Sequence, residues 1–260
     1  MNFSHLPPWL FGVIIVSAFV ALAVAGLFLF QRCAAHRLHL SEQLNTQIIF
    51  FASIIAMFYS LTAGMIAVGT WTTYRYVENV VSSEATAIVC LYRDVTGYPE
   101  PSRSAFQSEI RAYTEFIVTK AWPLQRRGLP TDEATRRLTT LENDLVQFEP
   151  TTPGQQILHA QVLTQYNEVA GLRRQRVNAI GGGLPSVMWS VVLIGALLTI
   201  TVTYLLDIDR KLHFVMTIFL SMFIGLIVFV IASLDRPLSG PLAIDSHPYQ
   251  LILDRLIDLK

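Results

Sequence analysis

Residues 43–95 of the chain read QLNTQIIFFASIIAMFYSLTAGMIAVGTWTTYRYVENVVSSEATAIVCLYRDV, and most of the architecture follows from them. No charged residue occurs from Gln43 to Tyr74. Because a helix of about 20 apolar residues crosses the roughly 30 Å hydrocarbon core of a bilayer, this run predicts a membrane span over residues 47–71.

The second half of the same stretch carries charges yet keeps a regular apolar pattern. Alternating spacings of four and three residues separate Val77, Val81, Glu84, Ile88, Leu91 and Val95. Such spacing is typical of the seam of a coiled-coil-like helix. No Pro or Gly stands between Trp71 and Val77, so we expect the span to continue without a break into a water-exposed helical domain.

Three other charge-free windows predict spans over residues 10–31, 187–206 and 212–234. The first of these might be confused with a signal peptide. However, Met1–Pro8 contains no Lys or Arg, and the apolar run that follows exceeds the usual length of about 7–15 residues. We therefore expect an uncleaved first span.

The composition agrees with a membrane protein. Hydrophobic residues make up 52% and charged residues 15% of the 260 positions, with a mean hydropathy of +0.46. Soluble proteins carry roughly 25% charged residues, and a soluble domain of this size cannot bury several long helices that are hydrophobic on every face. The net charge is zero, so no basic excess exists to neutralise nucleic-acid phosphates.

Apolar stripes at helical spacing run through the charged middle of the chain, so we expect an all-α membrane protein with two spans on each side of a helical bundle. The predicted parts are a transmembrane hairpin over residues 1–71, an extramembrane bundle over 72–184, a second hairpin over 185–234 and a tail over 235–260. The tail contains a short amphipathic segment, which lies on the bundle or on the membrane surface.

Proline and capping residues mark the ends of the bundle helices. Pro99 and Pro101 end the first helix. The apolar stripe of the second runs up to Trp122–Pro123, and Gly128 and Pro130 mark the turn that follows. The sequence Thr-Pro-Gly-Gln from Thr152 to Gln155 predicts a helix start, with Thr152 as the N-cap and Gln155 completing a capping box.

The positive charges beside the spans predict an orientation. Arg32 and Arg37 follow the first span, and Arg210 and Lys211 precede the fourth. The positive-inside rule places these two short loops in the cytoplasm, and hence both termini and the bundle on the periplasmic or extracellular face of a cell (inner) membrane. An arginine at the opposite end of the second and of the fourth span weakens this bias.

Residues that could support catalysis are scarce. The sequence has no P-loop, dinucleotide-binding, zinc-protease or nucleophile-elbow motif, so we expect no enzyme and no cofactor. Cys33 and Cys90 are too few for a disulfide framework or a four-thiolate zinc site. His36 and His39 are close enough to share a metal, but solvated loop histidines are the more common case, and we expect no metal site.

Glu84 is a carboxylate on the apolar seam of its helix. Burying it without a cationic partner would be strongly unfavourable. Arg173, Arg174 and Arg176 are the source we expect, because the last bundle helix must return beside the first to re-enter the membrane. The group forms either a structural ion pair or an anion- or ligand-binding site.

Phe50, Ile54 and Phe58 recur at every fourth position of the second span and therefore share one helical face. In an oligomer, such a face would form a hydrophobic constriction that closes a pore by dewetting. The alternative is a stripe that faces lipid or a neighbouring helix, which is the ordinary role of Phe and Ile in a span.

Two segments with glycine border the second hairpin. Gly181–Gly183 precedes it and acts as a hinge or as a plain linker. Asp235, Arg236, Pro237 and Gly240 follow it. They predict a helix stop at the membrane exit, with an interfacial ion pair between the adjacent Asp and Arg.

The closing sequence L-D-R-P-L-S-G, residues 234–240, resembles the L-D-R-P-F-S-G signature of the bestrophin-like DUF4239 membrane family, with Leu238 in place of the usual Phe. Other similar features are Glu84-Ala85, Leu91-Tyr92, Trp122-Pro123, Arg173-Arg174-x-Arg176, and Leu184-Pro185 with Trp189. The resemblance runs from the second span to the tail. It implies the two-plus-two helix arrangement of bestrophins, which are pentameric anion channels with a pore lined by the second span.

Bestrophins keep their helical domain in the cytoplasm, which is opposite to the orientation predicted above. We keep the charge-based orientation because it rests on residues of this chain, whereas the resemblance is an analogy at the level of the fold.

Two functional hypotheses follow. The first is a homo-oligomeric, anion-preferring channel in the lipid bilayer, in which Arg173, Arg174 and Arg176 attract anions into a vestibule. The second is a membrane-anchored sensory or scaffold protein whose bundle binds a ligand or a partner protein. The short predicted cytoplasmic loops leave no output domain, which favours the channel.

Overall fold

The computed structural model describes residues 7–33 and 42–258, and in these residues it contains helices and no strand. The elements are α1 (Pro8–Cys33), α2 (Glu42–Asp94), a short 3₁₀ turn (Val95–Gly97), α3 (Ser102–Phe116), a π-helical turn (Ile117–Ala121), α4 (Trp122–Gln125), α5 (Glu133–Gln147), α6 (Pro153–Asn178), α7 (Ser186–Thr203), α8 (Arg210–Leu234) and α9 (His247–Asp258). Four of them, α1, α2, α7 and α8, are long and apolar enough to cross a membrane. The predicted all-α membrane class is confirmed.

The chain divides into two compact units. The membrane unit comprises Met1–Thr72 and Gly183–Asp235, and the domain unit comprises Thr73–Gly182 and Arg236–Lys260. The tail therefore belongs to the domain unit, where Tyr249 of α9 is fully buried in the hydrophobic core.

Helix α2 is uninterrupted over 53 residues, which confirms that the second span continues as the first helix of the domain. The predicted seam is its buried face in the domain unit. Each of these side chains is at most 2% exposed: Val77, Val81, Glu84, Ile88, Leu91 and Val95. The alternating spacing of four and three thus identified the core face of this helix correctly.

Helices α1 and α8 of the membrane unit approach each other closely at glycines. A Cβ atom on Gly225 would lie 3.1 Å from the Cα of Val16, and one on Gly12 would lie 3.1 Å from the ring of Phe229. Without a hydrophobic driving force between helices in lipid, small residues at such crossings allow the close van der Waals packing that holds spans together.

The second bundle helix runs past Trp122–Pro123 and ends just before the turn predicted at Gly128. Helix α3 continues through the π-helical turn into α4, which ends at Gln125. In the wide turn the N–H of Trp122 donates to the carbonyl of Ile117, five residues earlier. The turn makes a new helix start at which the missing N–H of Pro123 is tolerated.

The predicted start of α6 is confirmed. The N–H of Gln155 donates to the Thr152 hydroxyl at 3.2 Å, and the N–H of Thr152 donates to the Gln155 side-chain oxygen at 3.3 Å. This reciprocal pair is a capping box, which satisfies two N–H groups that would otherwise lack partners.

Candidate functional site

The predicted neck residues lie on the outward face of α2 in the membrane unit. In the single chain, the side chains of Phe50 and Phe58 are 65% and 60% exposed, and Ile54 is partly buried. Leu61, Met65 and Val68 continue this face at helical spacing and are equally exposed. The predicted neck ended at Phe58, although the same spacing of three and four residues extends along α2 to Val68.

The opposite face of α2 packs on α7 in the same unit. The ring of Tyr59 rests against Gly195, where an added Cβ would lie 2.6 Å from a ring carbon. Tyr59 and its neighbour Ala63 are 9% and 1% exposed. Because Tyr59 directly follows Phe58, anchoring Tyr59 inward turns Phe58 outward.

A second contact holds the beginning of α2, and the sequence analysis missed it. The Nδ2 group of Asn45 donates to the backbone carbonyl of Asp207 at 3.2 Å, and the N–H of Asp207 donates to Oδ1 of Asn45 at 3.1 Å. Asp207 lies in the loop that joins α7 to α8. The one signal in the sequence was a polar amide in a charge-free run.

The domain unit encloses an ion pair between Glu84 and Arg176, both fully buried. Arg176 donates from Nε to Oε2 of Glu84 at 2.6 Å and from Nη2 to Oε1 at 3.0 Å. The hydroxyls of Tyr249 and Tyr113 also donate to Glu84, at 3.0 and 3.3 Å. The remaining Nη1 group of Arg176 donates to Oε1 of Gln125 at 2.6 Å. Each charged group therefore has the hydrogen bonds that a buried charge needs.

Aromatic rings complete this cluster. The Arg176 guanidinium lies 5.6 Å from the ring centre of Trp122 and 5.7 Å from that of Tyr249. Burial and the nearby Glu84 carboxylate raise the pKa of Tyr249 well above its usual value, so its hydroxyl stays a donor. Burial alone would lower the pKa of Arg176, but the Glu84 carboxylate holds it well above the usual value.

The three predicted arginines do not form one site. Arg176 is enclosed and paired, so the expectation that it attracts anions is corrected: its charge is neutralised by Glu84. Arg173 is half-buried and donates to the Thr135 hydroxyl at 2.8 Å, while Arg174 is exposed. Of these three arginines, Arg174 alone is exposed.

Asp235 at the end of α8 binds the start of the second hairpin. Its Oδ1 accepts from the N–H of Leu184 at 2.5 Å, and its Oδ2 accepts from Nε1 of Trp189 at 3.4 Å. Arg236 is exposed and forms no ion pair with any residue that the structure describes. The predicted Asp235–Arg236 pair is corrected, because the carboxylate instead accepts from the backbone N–H of Leu184, just before α7, and from the indole N–H of Trp189 within α7.

Pro237 and Gly240 form the turn that follows. The N–H of Gly240 donates to the carbonyl of Arg236 at 2.7 Å, and the N–H of Ile244 donates to the carbonyl of Pro237 at 2.8 Å. Leu238, at the position where the family signature has Phe, is 2% exposed and lies in the domain core. The motif therefore directs the chain from the end of α8 into the domain unit.

A pair of carboxyl groups on the domain went unnoticed in the sequence. Burial, together with the hydrogen bond and the negative charge of Asp144, raises the pKa of Glu109 to about 7. Glu109 lies on α3 and Asp144 on α5. No spacing rule joins two residues on different helices, so only the fold reveals this pair.

Metal ligands are not assembled in the described ranges, where no group of three or more His, Cys, Asp or Glu side chains is placed to hold an ion. His36, His39 and Arg37, which the sequence analysis considered, lie outside those ranges.

Four membrane helices arranged two plus two, with a helical domain between them, agree with the resemblance read from residues 234–240. A family model of the bestrophin-like domain matches residues 17–249. The chain belongs to the bestrophin-like family. Membership confirms the resemblance and supports a channel-like membrane protein; it also fits a protein without enzymatic activity.

Solved structures show the same fold. A bacterial bestrophin homologue from Klebsiella pneumoniae is similar to this bestrophin-like chain with a TM-score of 0.68 and 14% identity, covering 95% of this chain and 97% of its own. A single-substitution variant of that homologue gives a TM-score of 0.70 at 12% identity, with 95% and 98% covered. A structure described as a membrane protein gives the same four values. No curated protein matches the sequence.

Proposed function

We propose that this bestrophin-like chain is one subunit of a homo-oligomeric ion channel whose pore is lined by the outward face of α2. The observation that carries the proposal is the exposure of Phe50 and Phe58, at 65% and 60%, in the single chain. A continuous apolar face on a span must contact lipid or another copy. Family membership supports the second choice.

Phe50, Ile54 and Phe58 form the neck in this proposal. Copies of an apolar face arranged around an axis leave a narrow passage without hydrogen-bonding groups. Water leaves such a passage when the side chains approach each other. Ions would then have to give up their hydration shell to enter it, so they do not cross. The neck therefore closes by dewetting and conducts when its side chains separate.

Anions are the proposed permeant ions. The family resemblance supports this choice, as does Arg174, whose exposed guanidinium favours anions near the domain surface. Reversal potentials measured in a chloride gradient test it, since a potential that follows sodium instead of chloride would contradict the assignment.

The proposed location is the inner membrane of a bacterial cell, with both termini and the domain unit in the periplasm. Arg32, Arg210 and Lys211 beside the short connections between spans support this orientation. Reporter fusions at Lys260 test it: phosphatase activity is expected, and fluorescence of a cytoplasm-dependent fusion would reverse the orientation.

The channel itself is tested by imaging and by flux. Cryo-electron microscopy of the full chain in lipid nanodiscs should show a ring with α2 around a continuous axial path. A monomer, or a dimer with an occluded interface, would instead favour a sensory or scaffold role.

For flux, the full chain is reconstituted in liposomes as wild type and as Phe58→Ala. Removing the ring should widen the neck and raise anion flux. Ile49→Ala is the matched control, because Ile49 is 48% exposed but points about 100° away from Phe50 on the helix. Absence of flux in wild type and Phe58→Ala alike would overturn the proposal.

A further inference from the structure

We propose that Asn45 is a positioning residue for the neck, tying the first turn of α2 to the α7–α8 loop so that this loop controls the opening of the neck. This inference rests on the channel function proposed above. It adds a control point that lies outside the pore-lining face itself.

The contact between Asn45 and the loop is specific. One side-chain amide supplies an acceptor to the N–H and a donor to the carbonyl of the same residue, Asp207, at 3.1 and 3.2 Å. Asn meets this geometry because its amide carries both functions. Two neutral hydrogen bonds are also insensitive to the salt that screens an exposed ion pair.

The loop to which Asn45 is tied is itself anchored at both ends. The Asp209 carboxylate accepts from the N–H groups of Lys211 and Leu212, at 2.9 and 3.2 Å, and so caps the start of α8. The His213 ring donates from Nε2 to the carbonyl of Thr203, at the end of α7, over 3.0 Å. Because the loop is fixed to both helices, a movement of α7 or α8 moves the loop as well. The hydrogen bonds between Asp207 and Asn45 then transmit this movement to α2.

Asn45 lies close to the neck along the helix. Five residues separate it from Phe50, a rise of about 7.5 Å in an α-helix. On the far side of the neck, Tyr59 is fixed against Gly195 of α7. The segment with Phe50, Ile54 and Phe58 is therefore held at two points, and separating the neck side chains requires one of them to give way.

The test uses the full chain in liposomes with Asn45→Leu, which keeps the shape of the side chain and removes both hydrogen bonds. Loss of the tether should raise basal anion flux about fivefold, the population change expected for losing about one net hydrogen bond. Asn45→Asp keeps the acceptor for the Asp207 N–H and should give a smaller rise. Thr46→Val is the control, because the Thr46 hydroxyl donates to the Glu42 carbonyl of its own helix, at 2.9 Å, and has no other hydrogen-bond partner among the described residues.

Two further measurements separate positioning from a general loss of stability. Hydrogen exchange at the Asp207 amide should speed up in Asn45→Leu and stay unchanged in Thr46→Val. In a Phe58→Ala background, where the neck barrier is already removed, Asn45→Leu should add little flux; such non-additivity is the sign of a shared path.

The outcomes distinguish this inference from the channel proposal. Unchanged Asp207 exchange in Asn45→Leu overturns the tether. Faster exchange with wild-type flux, while Phe58→Ala still raises flux, overturns control by the loop and leaves the channel intact. If neither wild type nor Phe58→Ala conducts, the channel proposal fails and control of the neck fails with it.

Discussion

The membrane half and the domain half of α2 form one continuous helix but differ in the side chains that they expose. Both halves bury one face: Tyr59 and Ala63 on the membrane side, and the seam from Val77 to Val95 on the domain side. They differ on the opposite face. In the membrane half it carries large apolar side chains that are about 60% exposed, while in the domain half it carries small polar ones such as Asn79 and Thr86.

The difference shows what each half contacts beyond its own chain. An exposed phenyl ring is stable in lipid or against another subunit, whereas exposed Asn and Thr are stable in water. The exposed fraction of a side chain in the single chain therefore has a different meaning in the two halves. The membrane half gains its stability from its surroundings, and the domain half from its own core.

Removal of the carboxylate at the centre of the domain seam should change stability more than any other substitution in α2. Glu84→Ala leaves Arg176 buried without its counter-ion, and a broken buried pair costs about 3–5 kcal/mol. Denaturant unfolding in detergent micelles measures the loss. Glu78→Ala is the control, since its pair with Arg75 is solvent-exposed and worth under about 1 kcal/mol. Equal losses for the two variants would show that the buried cluster is not a centre of stability.

A matched pair of isoleucines compares the two halves directly. Ile88 is fully buried in the domain core, and Ile88→Ala should lower the free energy of unfolding by about 2–5 kcal/mol. Ile49 is 48% exposed in the membrane half, and Ile49→Ala should lower the free energy of unfolding in detergent by less than about 1 kcal/mol. The same denaturant titration serves both, and a larger loss at Ile49 than at Ile88 would invert the comparison.

Substitutions at two glycines compare a packed and an open helix face within the membrane unit. Gly195→Ala places a Cβ 2.6 Å from the Tyr59 ring, and such overpacking costs about 1–3 kcal/mol. A Cβ at Gly64 of α2 meets nothing within 4 Å in the single chain, and Ala gains up to about 1 kcal/mol in helix propensity. Thermal unfolding should therefore shift downward for the first variant and upward or not at all for the second. A lower melting temperature for Gly64→Ala would indicate that another helix packs against that face of α2.

The smallest effect concerns pH and is confined to the domain. The pKa of Glu109 is raised from its usual 4.5 to about 7, so the folded state binds this proton more tightly than the unfolded state does. Its contribution to stability is complete below pH 4.5 and is lost as the pH rises through 7. The melting temperature of wild type should fall over this window relative to Glu109→Gln. Glu149→Gln, an exposed control, should keep the wild-type slope, and an identical slope in Glu109→Gln would contradict the assignment.

The sequence was informative wherever structure repeats along a single helix. The charge-free runs located the spans, the alternating spacing gave the seam from Val77 to Val95, and Thr152 with Gln155 gave a helix start. Each of these signals depends on neighbours a few residues apart. Helical geometry alone converts such spacing into a face or a cap.

Partners of polar groups were predicted less well, because partner choice depends on which helices meet. Glu84 required a cation, yet nothing in the sequence indicated that Tyr249 and Gln125 would join the cluster. Asp235 was paired with its neighbour Arg236 on proximity, whereas the fold offered it the N–H of Leu184 at 2.5 Å. Asn45 was marked only as a polar amide in a charge-free run, and that signal does not identify its partner, the backbone of Asp207 in a distant loop.

The hydrogen bond from Tyr249 to Glu84 joins positions 165 residues apart. During synthesis Glu84 and Arg176 are made long before Tyr249 emerges from the ribosome. Until α9 packs against the domain, water has to supply the hydrogen bond that the Tyr249 hydroxyl donates to Glu84 in the folded structure. A chain interrupted before Tyr249 would therefore lack one of the hydrogen-bond donors to its buried carboxylate.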